Sequence, residues 1–326
     1  MSTWILCPEP AAWLSPLLDA HPTARVFAPW ALPVAPPRRL LGRLRRPWAA
    51  RHIPLPARTL WIPGWQAAEA IQRRWEGGDV ARRFRMLRAR RHALDRLAAA
   101  CIPEGRDIIA PTLAATVLRG RASHLTVVLD LPLLSLLHRD LDAAAAALPR
   151  STFLNNYRAP HDAVMDQERE LHAADAVLVR APYTQAQLGG RAALLSPPPS
   201  PAPRRPLPSA PLLQLAGAAT ARNGTHAALA LLERWPSARL RVRPTEGTEP
   251  TSLLDHPRVQ TDGTPDAVLA LSWCASAPPE VRAALADGIP VVATDRAALP
   301  GVAAIVSPGD VDAIESALRR GSRPTR

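Results

Sequence analysis

The run Pro278 to Asp295, PPEVRAALADGIPVVATD, constrains the fold more than any other part of the chain. Ala283, Ala284 and Leu285 belong to a helix that ends at Asp287-Gly288, where a glycine accepts the left-handed conformation that closes a helix. Pro290 then fixes the backbone as it leaves the turn, and Val291-Val292-Ala293 reads as a strand buried on both faces. A helix that feeds a two-sided apolar strand through so short a corner is a βα-repeat feature, and it predicts an α/β protein with a parallel sheet.

The flanking segments continue the alternation. Leu212 to Leu232, LLQLAGAATARNGTHAALALL, reads as a strand ending near Gly217, a loop, and a helix opened by Asn223-Gly224. Trp235-Pro236 closes that helix, Arg239 to Val242 supplies the next strand, and the segments His256 to Val259 and Pro265 to Leu271 follow. Leu299-Pro300-Gly301 and Val306 to Asp310 complete the order. Together these residues resemble the donor half of the retaining GT-B glycosyltransferases of family 4 (group 1), whose signature EAxAxGxPVVA(T/S)D the Pro278 to Asp295 run matches in part.

The resemblance implies two Rossmann-like domains, the second holding a nucleotide-diphosphate sugar, with no metal and no cofactor. It implies donor contacts at Gly217, Arg222, Asn223, Gly224, Arg180, Trp273 and Pro279, and a role for Glu280 in the chemistry. The base would lie near Trp273 to Pro278, and the pyrophosphate at the helix N-termini after Gly217 and near Pro279, where oriented amides favour anions. The family's paired glutamates fall here on Ala275 and Ala283, its arginine on Ala218 and its lysine on Asn223. Arg222 and Glu280 are the charged residues nearest those positions. A catalytically degenerate subunit that binds a nucleotide sugar or a partner transferase without turnover is the alternative reading.

The N-terminal part can be read from its own residues. Thr3 to Leu6, Thr59 to Ile62, Asp107 to Ala110 and Leu125 to Leu129 are short apolar runs bounded by proline, glycine or charge, as buried parallel strands are. Ala67 to Trp75 and Val80 to Ala100 are expected as helices. Asp130 stands at the carboxyl tip of the Leu125 strand, where ligands meet open α/β sheets, and is a candidate to act on or orient an acceptor; as a helix-capping aspartate it would have no such task. Glu168 to Leu188 resembles a further segment of the same family, with Arg180 and Tyr183-Thr184 bordering the cleft. The loop Asn155 to His161 is polar and aromatic enough to contact a sugar, so Tyr157, Arg158 and His161 are candidate acceptor contacts.

Between the halves runs Ser196 to Pro211, SPPPSPAPRRPLPSAP. Proline lacks a backbone donor, so this stretch is expected to run extended as a connector between an acceptor domain, residues 1–195, and a donor domain, residues 212–326.

At 326 residues there is chain enough for two cores, and a 47% hydrophobic content excludes a mainly disordered protein. The basic residues number 40 and all are arginine, giving a formal charge of +12 that favours anionic partners. A nucleotide sugar and a glycan or lipid-linked acceptor fit that charge; nucleic acid has only the charge in its favour, without a recognisable binding module, and is not expected. The helix from Val80 carries Arg82, Arg83, Arg85, Arg88, Arg90 and Arg91, and Arg38 to Arg51 adds six more arginines with Trp48. Such rows are either a solvated face or a docking surface for an anionic membrane. Cys7, Cys101 and Cys274 lie far apart and indicate neither a zinc site nor a disulfide framework. With no signal-like N-terminus and no long apolar run, the expected location is cytoplasmic, peripheral to the inner face of the plasma membrane if the basic surface is used.

Overall fold

The computed structural model describes residues 3–7, 13–28, 59–60, 80–151, 154–195, 202–203, 205–245 and 248–321. The expected helix at Ala67 to Trp75 and the basic run Arg38 to Arg51 lie outside the described residues. The chain divides into two compact units, one from Met1–Leu131, Ala159–Val179 and Gly190–Leu195, the other from Pro132–Arg158, Arg180–Gly189 and Ser196–Arg326.

In the first unit, β1 (Thr3–Leu6), α1 (Leu14–Ala20), β2 (Arg25–Phe27), β3 (Thr59–Leu60), α2 (Val80–Cys101), β4 (Arg106–Pro111) and β5 (Ala122–Val128) appear in sequence order. After α3 (Leu134–Ala147), which belongs to the second unit, come α4 (His161–Ala173) and β6 (Ala176–Val179); α5 (Pro182–Leu188), again of the second unit, precedes β7 (Ala192–Leu194). All seven strands pair in parallel in the order β3-β2-β1-β4-β5-β6-β7. The direction of winding reverses between β1 and β4, which is where a doubly wound sheet opens a crevice at its carboxyl edge.

The 22-residue α2 buries Leu94 and Ala98, but its inward face also carries Arg91, 2% exposed, and Asp95, 1% exposed. Positions 91, 94, 95 and 98 share one face of a helix. The row of arginines is therefore not uniformly solvated: Arg91 points into the unit, and Arg88 is ion-paired with Asp162 and Asp166 of α4.

The second unit holds β8 (Leu212–Leu215), α6 (Thr225–Arg234), β9 (Arg239–Arg241), β10 (Val259–Gln260), β11 (Ala267–Ala270), α7 (Pro279–Ala286), β12 (Val291–Thr294), β13 (Ala304–Val306) and α8 (Val311–Gly321). Its strands are also all parallel, ordered β10-β9-β8-β11-β12-β13, with the reversal between β8 and β11. Side chains alternate across this sheet. Leu213, Leu215, Leu269 and Val292 pack with α6 and α8 through Leu231, Leu232, Ile314 and Leu318, while Val268, Ala270, Val291 and Ala293 pack with α7 through Val281 and Leu285. Both faces being covered is why β11 and β12 are apolar at nearly every position, and each fully buried leucine or valine contributes about 1.5–3 kcal/mol.

The corner between α7 and β12 forms as its sequence demands. Gly288 has φ +70°, and the amides of Gly288 and Ile289 turn back to the carbonyls of Leu285 and Ala284. The described part of the proline-rich segment is packed against this corner: Ala202 N–H donates to Leu285 O at 3.1 Å, Arg205 N–H to Gly288 O at 2.9 Å, and Leu207 is buried in the unit's core. A Cβ on Gly288 would lie 2.3 Å from Pro203 O, so the glycine is required by close approach as well as by its backbone angle.

Candidate functional site

The carboxyl edge of the second sheet, at the β8/β11 reversal, gathers most of the residues that the sequence singles out. The loop after β8 turns at Gly217, φ +81°, passes through a 3-10 turn at Ala221–Asn223, and enters α6 at Gly224, φ +85°. A Cβ on Gly224 would come within 2.5 Å of Leu271 Cβ and 2.6 Å of Leu271 O, so only glycine lets the start of α6 meet the end of β11. Asn223 is a loop lock: its side-chain Nδ2 donates to Ala218 O at 2.8 Å. Trp273 N–H donates to Arg222 O at 2.8 Å, which ties the loop after β11 to the loop after β8.

The loop after β11 is itself rigidly built. Ser272 Oγ donates to Cys274 O at 2.8 Å, Thr294 Oγ1 donates to Ser272 O at 2.7 Å, and Ser276 N–H donates to Arg296 O at 3.0 Å. Burial pushes the Cys274 thiol up to about 11, with the guanidinium groups of Arg222 and Arg296 pulling against it. Arg222 stacks over the Tyr157 ring at 5.3 Å, and its buried Nε finds no acceptor among the described residues.

Pro279 opens α7 and is exposed, and Glu280 follows in the first turn, where a carboxylate is favoured by the helix dipole. Glu280 Oε1 lies 3.3 Å from Arg243 Nη1, while the buried Oε2 has no partner. Arg243 in turn accepts the Ala219 amide through its carbonyl at 2.9 Å, so the ends of β8 and β9 and the start of α7 share this edge. Arg180 is exposed and close enough to Arg282 to reinforce the lowering of that group's pKa, which burial begins.

Four residues of the same unit adjoin this loop and escaped the sequence reading in whole or part. Asp140 on α3 is 2% exposed; its Oδ1 accepts from Tyr183 Oη at 3.1 Å, and its Oδ2 is buried without a partner. Burial holds the Asp140 carboxyl above its usual range, against Tyr183, Arg296, Arg139 and the Ala275 amide. Arg139 donates to Tyr183 Oη at 3.1 Å, and Arg296 stacks on the Tyr183 ring at 5.3 Å. The signal was present: Asp140 occupies an apolar-face position of α3, beside the buried Leu136, Leu137, Leu141 and Ala144. A carboxylate in such a row asks for an explanation.

The remaining candidates are dispersed. Tyr157 lies with Arg222, but Arg158 is engaged by Asp142 and Asn155, and His161, at the first position of α4, is exposed in the other unit. Asp130 also belongs to the first unit, where it forms a two-pronged pair with buried Arg91, Nη2 to Oδ2 at 2.7 Å and Nη1 to Oδ1 at 3.4 Å. Arg91 Nη1 also donates to Thr112 O at 3.1 Å. Glu170, 2% exposed, accepts the amides of Leu113 and Ala115, and Asp95 accepts those of Val117 and Leu118. These bonds clamp the Thr112 to Leu118 loop after β4, in which Leu113 is held at φ +64°. Burial raises the Glu170 carboxyl to about 7 against the pull of the Ala115 and Leu113 amides. Asp130 is thus paired with a buried arginine, which its position at a strand tip does not reveal. No group of three or more His, Cys, Asp or Glu side chains fit to hold a metal occurs among the described residues.

No family model matches the chain, and no curated protein does. Among solved structures it is similar to the apo form of the lipopolysaccharide outer core galactosyltransferase WaaB, with a TM-score of 0.52 and 11% identity over 98% of this chain and 89% of that one. TcCGT1 in complex with UDP aligns over 98% of this chain and 90% of that one, with a TM-score of 0.43 and 12% identity. At such identity the likeness is one of fold: this chain has the α/β fold of the GT-B glycosyltransferases, with two Rossmann-like parallel sheets.

Proposed function

We propose that this chain is a glycosyltransferase of hexosyltransferase type. It moves a sugar from a nucleotide-diphosphate sugar to a glycan or lipid-linked acceptor with retention, in bacterial polysaccharide or glycoconjugate biosynthesis. The donor would lie on the second unit, at the β8/β11 edge. The observation that carries this reading is the pair of bonded loops there: a glycine-permitted approach of the α6 start to β11, and Arg222 alongside with a buried Nε that has no partner. Amides at the starts of α6 and α7 and the Arg222 guanidinium suit a diphosphate. Glu280, with one oxygen unpartnered, suits a sugar hydroxyl. The proline-rich segment Ser196 to Pro211 would be the linker to the acceptor domain.

In the step we envisage, the bond from the anomeric carbon to the diphosphate breaks as the acceptor oxygen bonds to the same face of that carbon. The acceptor's proton passes to the departing diphosphate. This chain's part is to orient the donor, to balance the charge that builds on the diphosphate, and to keep the sugar in register. Asp130, held by Arg91, would orient the acceptor from the end of its strand.

One observation favours a second reading, in which the protein binds the donor without turnover. Ala275 and Ala283 stand where the resemblance expects carboxylates, and Glu280 is partly taken by Arg243. Incubating the purified protein with a panel of nucleotide sugars, with and without membrane-extracted acceptors, and measuring released nucleotide separates the two. Release with at least one donor is the expected result; binding without release selects the non-catalytic reading, and neither binding nor release overturns both. Membrane association rests on Arg82 and Arg85, which are exposed, since no described helix is long and apolar enough to cross a membrane.

A further inference from the structure

We infer that Arg296 is a second cation for the donor's diphosphate, acting with Arg222, and that Tyr183 and Asp140 are positioning residues that hold it ready. The inference rests on the donor site proposed above and deepens it. The reason to look for another cation is chemical. A diphosphate carries more than one negative charge, of which Arg222 balances one, while Asn223 is spent on the Ala218 carbonyl.

Arg296 is placed for the task by the sheet. β12 pairs in parallel with β11 through Ala270 and Ala293, so the ends of the two strands lie side by side, and Arg296 follows β12 by two residues. The Ser276 amide bonded to its carbonyl fixes its backbone to the loop after β11. Its side chain is prepared as that of Arg222 is. Each guanidinium lies on a tyrosine ring, Tyr157 for Arg222 and Tyr183 for Arg296, both at 5.3 Å. Each has a buried Nε without an acceptor, and both bear on the Cys274 thiol. Stacking on an aromatic face restrains a guanidinium without using its donors, so the Nε–H of each remains for a phosphate oxygen.

The support behind Arg296 is equally specific. The Tyr183 hydroxyl reaches buried Asp140, whose charge is felt by Arg296 and Arg139. Asp295 engages Arg296 from the exposed side, and no acidic side chain is ion-paired with Arg222 among the described residues. Counting Arg139, three guanidiniums here face the carboxylates of Asp140 and Asp295, a net positive charge that an anion would neutralise.

The test uses ligands without base or sugar, so that only the phosphate contacts are read. Inorganic pyrophosphate and inorganic phosphate are titrated into the full-length protein, into Arg296→Gln, Arg296→Lys and Arg222→Gln, and into Tyr183→Phe and Tyr183→Leu, with thermal melting run in parallel to confirm folding. Expected is pyrophosphate binding by the wild type that weakens roughly 10- to 100-fold in Arg296→Gln and in Arg222→Gln, with a smaller loss for phosphate. Arg296→Lys should lie between, since it keeps the charge and loses the fork. Tyr183→Leu, which removes the ring, should weaken pyrophosphate more than Tyr183→Phe, which removes only the hydroxyl. Pyrophosphate binding lost in Arg222→Gln but unchanged in Arg296→Gln overturns the role of Arg296 and leaves the donor site standing. Binding absent from the wild type overturns both.

Discussion

The two carboxyl edges of this molecule have the same strand topology and opposite chemistry. At the β1/β4 reversal, charged groups are consumed by the protein: Arg91 by Asp130 and Thr112 O, Glu170 by the Leu113 and Ala115 amides, Asp95 by those of Val117 and Leu118. At the β8/β11 reversal, Arg222 Nε, Arg296 Nε, Asp140 Oδ2 and Glu280 Oε2 are buried and unpartnered. A Rossmann-like sheet offers a crevice at its reversal, but the side chains decide whether it is filled by the chain's own loop or left for a ligand. The first edge spends its charged groups on the chain itself and the second leaves several of them unspent, and each side of that contrast can be broken separately.

The largest effect is expected at the first edge. Arg91→Leu leaves the Asp130 carboxylate buried without its counter-ion and should cost about 3–5 kcal/mol of stability in urea unfolding, while Arg91→Leu combined with Asp130→Leu should recover most of the loss. If nucleotide binding by the second unit falls in Arg91→Leu under conditions where the protein remains folded, the separation of the two edges is wrong.

Glu170 gives this edge a pH dependence. Its folded carboxyl, raised to about 7, holds a proton that the unfolded chain has released above about 4.5, so the folded state binds more protons between those values. Stability should therefore fall as pH rises through that window, by up to about 3 kcal/mol, and level off above pH 7. Unfolding curves from pH 4.5 to 8 on wild type and Glu170→Gln check it; the slope should be much reduced in the variant.

A smaller cost is expected at the second edge from Gly224→Ala, which forces φ +85° on a residue with a Cβ and drives that atom into Leu271. A loss of about 2 kcal/mol or more is predicted, accompanied by weaker nucleotide binding because the α6 start can no longer seat against β11. Weakened stability with unaltered binding would show that the glycine serves packing alone.

Much of this contrast was legible in the sequence on one side only. The α7 corner, β8, α6, β11 and β12 lie where apolar period, Asp287-Gly288 and Asn223-Gly224 put them, because local propensity and two-sided burial agree there. The row of arginines on α2 reads as a surface, since nothing within the helix tells Arg91 from its neighbours; its partner is Asp130, beyond the next two strands. Ser196 to Pro211 reads as an extended connector, yet the Ala202 and Arg205 amides donate to carbonyls of the α7 corner, a contact made possible by a glycine whose need seemed explained already. At the candidate site, Gly217, Arg222, Asn223, Gly224, Trp273 and Glu280 stand together, while Asp140 and Arg296 carry their meaning only through long-range packing.

The most direct test of the central claim is calorimetry of the wild-type protein, Arg222→Ala and Glu280→Gln with a nucleoside diphosphate and with the corresponding nucleotide sugar. The wild type should bind both, and Arg222→Ala should weaken both by about 1.5–3 kcal/mol, as loss of a charge-assisted hydrogen bond requires. Glu280→Gln should weaken the nucleotide sugar while leaving the bare diphosphate nearly unchanged. Absence of nucleotide binding by the wild type, or binding that ignores Arg222, would contradict the assignment of the β8/β11 edge as the donor site.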